Sequence, residues 1–184
     1  AEQGDVAFNA HIIGVRVEAI SYLPAVAWGA AAATLVGQSL GAQDKQRAWL
    51  AGHEGALQCG LFGVLTSLVF MLQAGPIYSL MHEDPAVRVL GAPALSLLGA
   101  FQVPLLLAIV YASALRGAGD TRFPLVIALV TTYLIRIPVG YLFGIYWGMG
   151  MYGMWIGMCV DISGRCLLNA YRYWSKHWMH VTVE

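Results

Sequence analysis

Of the 184 residues, 59% are hydrophobic and 11% charged, and the mean hydropathy is +0.66. Soluble domains carry roughly 25% charged and about 45–50% apolar residues, so a water-soluble globular chain is excluded. Ten Lys and Arg balance ten Asp and Glu, which excludes a basic nucleic-acid footprint and an acidic tail; no nucleic acid is expected as a partner.

The chain starts at Ala1 without a basic segment followed by a short apolar run, so no signal peptide is evident and the start reads as a cut within a longer protein. A membrane helix needs about 20 mostly apolar residues, at about 1.5 Å each across a hydrocarbon core of about 30 Å. Five stretches meet that length, at about 8–36, 49–72, 87–114, 123–147 and 151–171. Pro24, Gly29, Pro93, Pro104 and Pro138 fall inside them; in a bundle they make kinks or hinges, because neighbouring helices satisfy the freed backbone groups. Cys59, Cys159 and Cys166 lie in apolar stretches without ligand spacing. They read as small packing residues, and neither a metal nor a cofactor is expected.

Basic residues cluster on alternate connections: Lys45 and Arg47, then Arg116 and Arg122, then Arg172 and Lys176. That side is expected to be cytoplasmic. Residues 1–7 then lie outside and the C-terminus inside, with Tyr171, Tyr173, Trp174 and Trp178 as an aromatic anchor at the inner interface.

The connections after the first and third stretches share the pattern Gly-Ala-x-Asp. One runs Gly37-Gln38-Ser39-Leu40-Gly41-Ala42-Gln43-Asp44, the other Leu115-Arg116-Gly117-Ala118-Gly119-Asp120-Thr121-Arg122. A glycine ending a helix, followed by an Asp able to cap the next, describes a tight helical corner. Gly41 and Gly117 are therefore expected either at positive φ or in close helix contact. Asp44 or Asp120 can cap the helix that follows, where its charge also suits the dipole.

The run Val36-Gly37-Gln38-Ser39-Leu40-Gly41-Ala42 resembles a loop of multidrug and toxic compound extrusion transporters. Leu-Arg-Gly-Ala-Gly-Asp-Thr-Arg-x-Pro at 115–124 resembles the loop two helices later in that family. The resemblance implies an all-α fold, a polytopic membrane helix bundle holding five transmembrane helices of a six-helix lobe. By the same resemblance, 1–184 is the C-terminal lobe of a two-lobed transporter, and its N-terminal lobe is a partner within the same chain. The implied activity is secondary antiport by alternating access in a multi-pass cell membrane, not enzymatic catalysis. Amphipathic small molecules, organic cations among them, leave in exchange for sodium ions or protons. Acids credited with coupling lie in other helices and in the one matching the third stretch, yet 89–115 holds no Asp or Glu.

Charged groups at membrane depth cost at least about 2.5 kcal/mol and mark function or pairing. Counting from the outer ends puts Glu18, Asp161, Arg136 and Arg16 in one layer near the midplane, with Arg165 a turn deeper. Asp161 and Arg165 have i,i+4 spacing and can pair; Arg16 and Glu18 point to different faces. These five are candidates for ion coupling, either as a closed ion-pair network or as a polar patch that changes partners. Tyr22, Trp28, Gln102, Tyr111, Tyr133 and Met158 are candidates for the substrate cavity, through cation–π contacts and adaptable packing. His53-Glu54 lacks the second histidine of a zinc-protease motif, since Leu57 stands four beyond His53. Two further classes fit less well. A flippase for lipid-linked precursors calls for a strongly cationic cavity, and a membrane-embedded enzyme calls for a nucleophile and base at one depth, which Ser113 lacks.

Overall fold

Two long uninterrupted helices open the chain: α1 (Glu2–Gly41) and α2 (Lys45–Met81). The computed structural model describes residues 2–180. Ala1 lies outside it, and so does the C-terminal end, 181–184, expected on the inner side. After α2 come α3 (Pro85–Ala100), α4 (Gln102–Gly117), α5 (Arg122–Thr131), α6 (Ile137–Tyr141) and α7 (Gly150–Trp174). A 3₁₀ turn at His177–His180 follows. Among the described residues there is no strand, and the chain is an all-α membrane helix bundle.

By length and composition, three helical rods are long and apolar enough to cross a membrane: Gly4–Gly41, Lys45–Met81 and Arg122–Tyr146. The pair α3 and α4 makes a fourth, although its halves meet at 54°. The stretch expected as one span at 87–114 is therefore broken at Phe101, and Pro104 explains where. Proline has no N–H for the carbonyl of Ala100 four residues back, and its ring presses on that group. Regular bonding resumes with Leu105 N–H donating to the Phe101 carbonyl at 3.1 Å. The helix over the fifth stretch, α7, is long enough at 25 residues. It is less apolar than the others, because Asp161, Arg165 and Arg172 lie on it.

The rod through α5 and α6 contains two π turns, Thr132–Arg136 and Leu142–Tyr146, flanking Pro138. Ile137 N–H reaches back five residues to the Thr132 carbonyl. The ladder is thus rearranged around the residue that cannot donate. This rod packs on α7 through glycines. A Cβ at Gly157 would lie 2.7 Å from the Gly140 nitrogen and 2.9 Å from the Arg136 carbonyl oxygen.

Two cores hold the rest. One, toward the basic loops, joins Val36, Ala48, Leu106, Leu115 and Tyr173 from α1, α2, α4 and α7. The other joins Ile13, Tyr78, Leu95, Leu98 and Trp155 near the opposite end. The closest crossing is between α1 and α4, where Gly29, Ala33 and Gly37 recur every four residues against Ser113 and Gly117. Small side chains let the backbones approach.

The corner loops depart from the sequence expectation at Gly41 and Asp120, and meet it at Gly117 and Asp44. Gly41 has neither positive φ nor any neighbour within 4 Å of an added Cβ; Gln43 takes the left-handed conformation instead, at φ 61°. Gly117 is a close-contact residue pressed on the backbone of Ala33, whereas the positive φ of the second loop, 88°, belongs to Gly119. Asp44 caps α2, accepting from Arg47 N–H at 2.9 Å. Asp120 caps nothing; it is buried and bonds Arg172 at 2.8 Å. The similar loops diverge because the second is covered by the end of α7 and the first is open to solvent. Of the expected aromatic anchor, Tyr171 and Trp174 are exposed, while Tyr173 and Trp178 are fully buried.

Candidate transport cavity

A cavity of about 730 Å³ runs between α1 and α4 on one side and the α5–α6 rod and α7 on the other. It exists because that rod rests almost entirely on α7 and hardly touches α4. Each helix offers a stripe at helical spacing: His11, Val15, Glu18, Tyr22 and Val26 from α1, then Met158, Asp161, Arg165 and Asn169 from α7. α4 adds Ala112, Ser113 and Arg116, and the α5–α6 rod adds Pro124, Ala128 and Arg136.

The structure brings together Glu18, Arg136, Asp161 and Arg165 of the coupling candidates, and Tyr22 and Met158 of the substrate candidates. The remaining candidates lie elsewhere. Arg16 is exposed on another face of α1. Trp28 packs on Phe62 with ring centroids 5.3 Å apart. Tyr111 is buried in the core and accepts from Trp174 Nε1–H at 3.2 Å. Tyr133 is 63% exposed on the outer face of its rod. Gln102 is fully buried beside the α3–α4 break, with neither amide atom hydrogen-bonded.

Two charges in the cavity wall are committed to each other. Arg165 Nε donates to Asp161 Oδ1 at 2.7 Å and to Thr131 Oγ1 at 3.1 Å. Its second arm donates to Thr132 Oγ1 at 2.6 Å and the Ala128 carbonyl at 3.3 Å. Arg165 therefore ties α7 to the first π turn, and Asp161, 1% exposed, is paired with it through Oδ1. Glu18 and Arg136 face the same space, and neither forms an ion pair among the described residues. Among the described residues the cavity wall thus holds one locked pair, Asp161 and Arg165, plus an unbonded acid and base, not a closed network, and Arg16 of the expected layer lies outside it.

Sequence reasoning missed three wall residues. Asn169 continues the 161–165 stripe by one more helical step, a readable signal, and its buried Oδ1 has no partner. His11 closes the outer end, accepting from Trp155 Nε1–H at 3.3 Å. Arg116 closes the inner end, donating to Ser113 Oγ at 2.9 Å. The His11–Trp155 contact is set only by folding, whereas Arg116–Ser113 is an i,i+3 pair on α4 and is readable from spacing. Among the described residues, no group of three His, Cys, Asp or Glu side chains could hold a metal ion.

The sequence pattern of the MatE family matches residues 1–142, more than three-quarters of the chain. The chain belongs to the MatE family. Similar proteins include the probable multidrug resistance protein NorM of Thermotoga maritima, 30% identical over 95% of this chain and 38% of its own length. The multidrug resistance protein NorM of Burkholderia vietnamiensis is 34% identical over 94% of this chain and 38% of its own. The chain thus spans about two-fifths of the length of these relatives. The fold is similar to the crystal structure of the eukaryotic MATE transporter AtDTX14, with a TM-score of 0.89 at 20% identity, over 95% of this chain and 39% of that one.

Proposed function

We propose that this MatE chain forms five helices of the C-terminal lobe of a secondary antiporter that exports amphipathic small molecules, organic cations among them. Sodium ions or protons moving inward drive the export, and the N-terminal lobe of the same protein completes the substrate path. The basic loops and the C-terminus face the cytoplasm of a multi-pass cell-membrane protein. The relatives named as multidrug resistance proteins support the substrate class. One observation carries the mechanism: among the described residues Glu18 lines the cavity without an ion-pair partner, whereas Asp161 is held by Arg165. A carboxylate without a fixed partner in a membrane cavity is the group that can take up a proton or cation and release it when access alternates. Tyr22 and Met158 offer an aromatic face and a polarizable surface to a flat cation in the same space.

The test is efflux by the full-length protein in proteoliposomes under an imposed sodium or proton gradient, with Glu18→Gln and Asp161→Asn at matched folded amounts. Glu18→Gln is expected to abolish gradient-driven efflux while folding normally. Asp161→Asn is expected to lower the folded amount. Full efflux by Glu18→Gln under both gradients rejects Glu18 as the coupling group.

A further inference from the structure

A second cavity, also about 730 Å³, opens between the two corner loops, not between the rods. Lys45, at the start of α2, and Arg116, in the last turn of α4, both line it, and among the described residues no acidic side chain does. The nearest acids in sequence are engaged elsewhere: Asp44 caps α2 and Asp120 holds Arg172. Arg116 gives one N–H to Ser113, and among the described residues the rest of its five donors have no partner. Lys45 forms no ion pair among the described residues. Beside these two cations, Gln43 and the loop glycines make the wall polar on one side, and Leu40, Met179 and the buried Trp178 make it apolar on the other.

Two exposed cations that line one cavity, with no acid beside them among the described residues, repel each other through solvent, and a bound anion relieves that repulsion. Guanidinium and ammonium groups together suit a phosphate, one as a fork and the other as a point charge. We propose that this cavity binds a phosphate group on an anionic lipid headgroup, with Arg116 and Lys45 as its partners and Leu40 and Met179 against the first carbons of the lipid. Free phosphate has the same charge chemistry but no use for the apolar wall. The proposal rests on the membrane placement above and is independent of the export reading. It also links the two cavities, because Arg116 lines both. An anion on Arg116 offsets the positive charge at the inner end of the transport cavity, so it favours entry of a cationic compound there.

The test uses the full-length transporter in nanodiscs of phosphatidylcholine alone, with phosphatidylglycerol added, or with inorganic phosphate in the buffer. Retained lipid is read by native mass spectrometry, and stability by the melting temperature. Phosphatidylglycerol is expected to be retained and to raise the melting temperature, with Lys45→Gln weakening retention about tenfold and Lys45→Gln/Arg116→Gln weakening it further. Arg47→Gln, a cation of the same corner that does not line the cavity, is expected to leave retention unchanged. Lys45→Gln alone carries the test if the double variant does not fold. An equal effect of inorganic phosphate in pure phosphatidylcholine overturns the lipid as the source. Retention that ignores Lys45→Gln, or falls equally with Arg47→Gln, overturns the site, whatever the efflux activity of the same preparations.

Discussion

Arg172 closes on Asp120 with Nε 2.8 Å from Oδ2, fastening the end of α7 to the loop between α4 and α5. The carboxylate is nearly buried, and the same guanidinium lies 5.1 Å from the centre of the Phe123 ring. Removing one partner leaves the other charge poorly solvated and costs more than the pair contributes. Asp120→Ala is therefore expected to destabilise the protein by about 2 kcal/mol. In detergent melts, Asp120→Ala and Arg172→Ala together should cost less than the sum of the single changes. Additive losses would mean that the contact carries no coupling energy.

Gly117 and Gly41 occupy matching places in similar loops but should respond differently to the same change. A Cβ at Gly117 meets the Ala33 backbone, and one at Gly41 meets nothing within 4 Å. Gly117→Val is expected to reduce the folded fraction on size exclusion, at a cost of at least about 2 kcal/mol from overpacking. Gly41→Val should leave it nearly unchanged. Equal tolerance of both would contradict the close α1–α4 crossing.

Arg165 makes four hydrogen bonds that reach three residues of the neighbouring rod as well as Asp161. A lysine keeps the charge but not the fork. Arg165→Lys is expected to lose about half of the stability lost in Arg165→Ala, and to lower the melting temperature measurably. Complete rescue by lysine would show that charge alone matters there.

Trp178 is fully buried, stacked on Tyr173 at 4.9 Å, and donates from Nε1 to the Tyr173 carbonyl at 2.7 Å. Trp178→Ala removes a large buried side chain, at about 3 kcal/mol. Faster proteolysis at the C-terminal end and a lower melting temperature are the expected readouts. An unchanged digestion pattern would show that the tail is not held by this residue.

Gln46 and Thr121 are exposed on the two basic corners. In a background lacking Cys59, Cys159 and Cys166, single cysteines at these positions are expected to react with an impermeant maleimide only in inside-out vesicles. Labelling from the outside of intact cells would invert the proposed orientation.

The all-helical membrane class was legible in runs of apolar residues too long for a soluble core, and the family in two Gly-Ala-x-Asp corners. The sequence by itself also determined the Asp161–Arg165 pair, because i,i+4 spacing on one helix is a local property. Tertiary structure decided the rest. Glu18, Arg136 and Asp161 share a depth with Arg16, yet only the first three share a cavity. Depth follows from counting along a helix, whereas the direction a residue faces depends on which rod lies beside it. Trp28 and Tyr111 have the chemistry of cavity aromatics and are spent on packing. The two corners read alike but were set apart by what covers them: solvent over Asp44, and Arg172 from 52 residues away over Asp120. A side chain's role is fixed by its partners across the fold, and no local spacing records those.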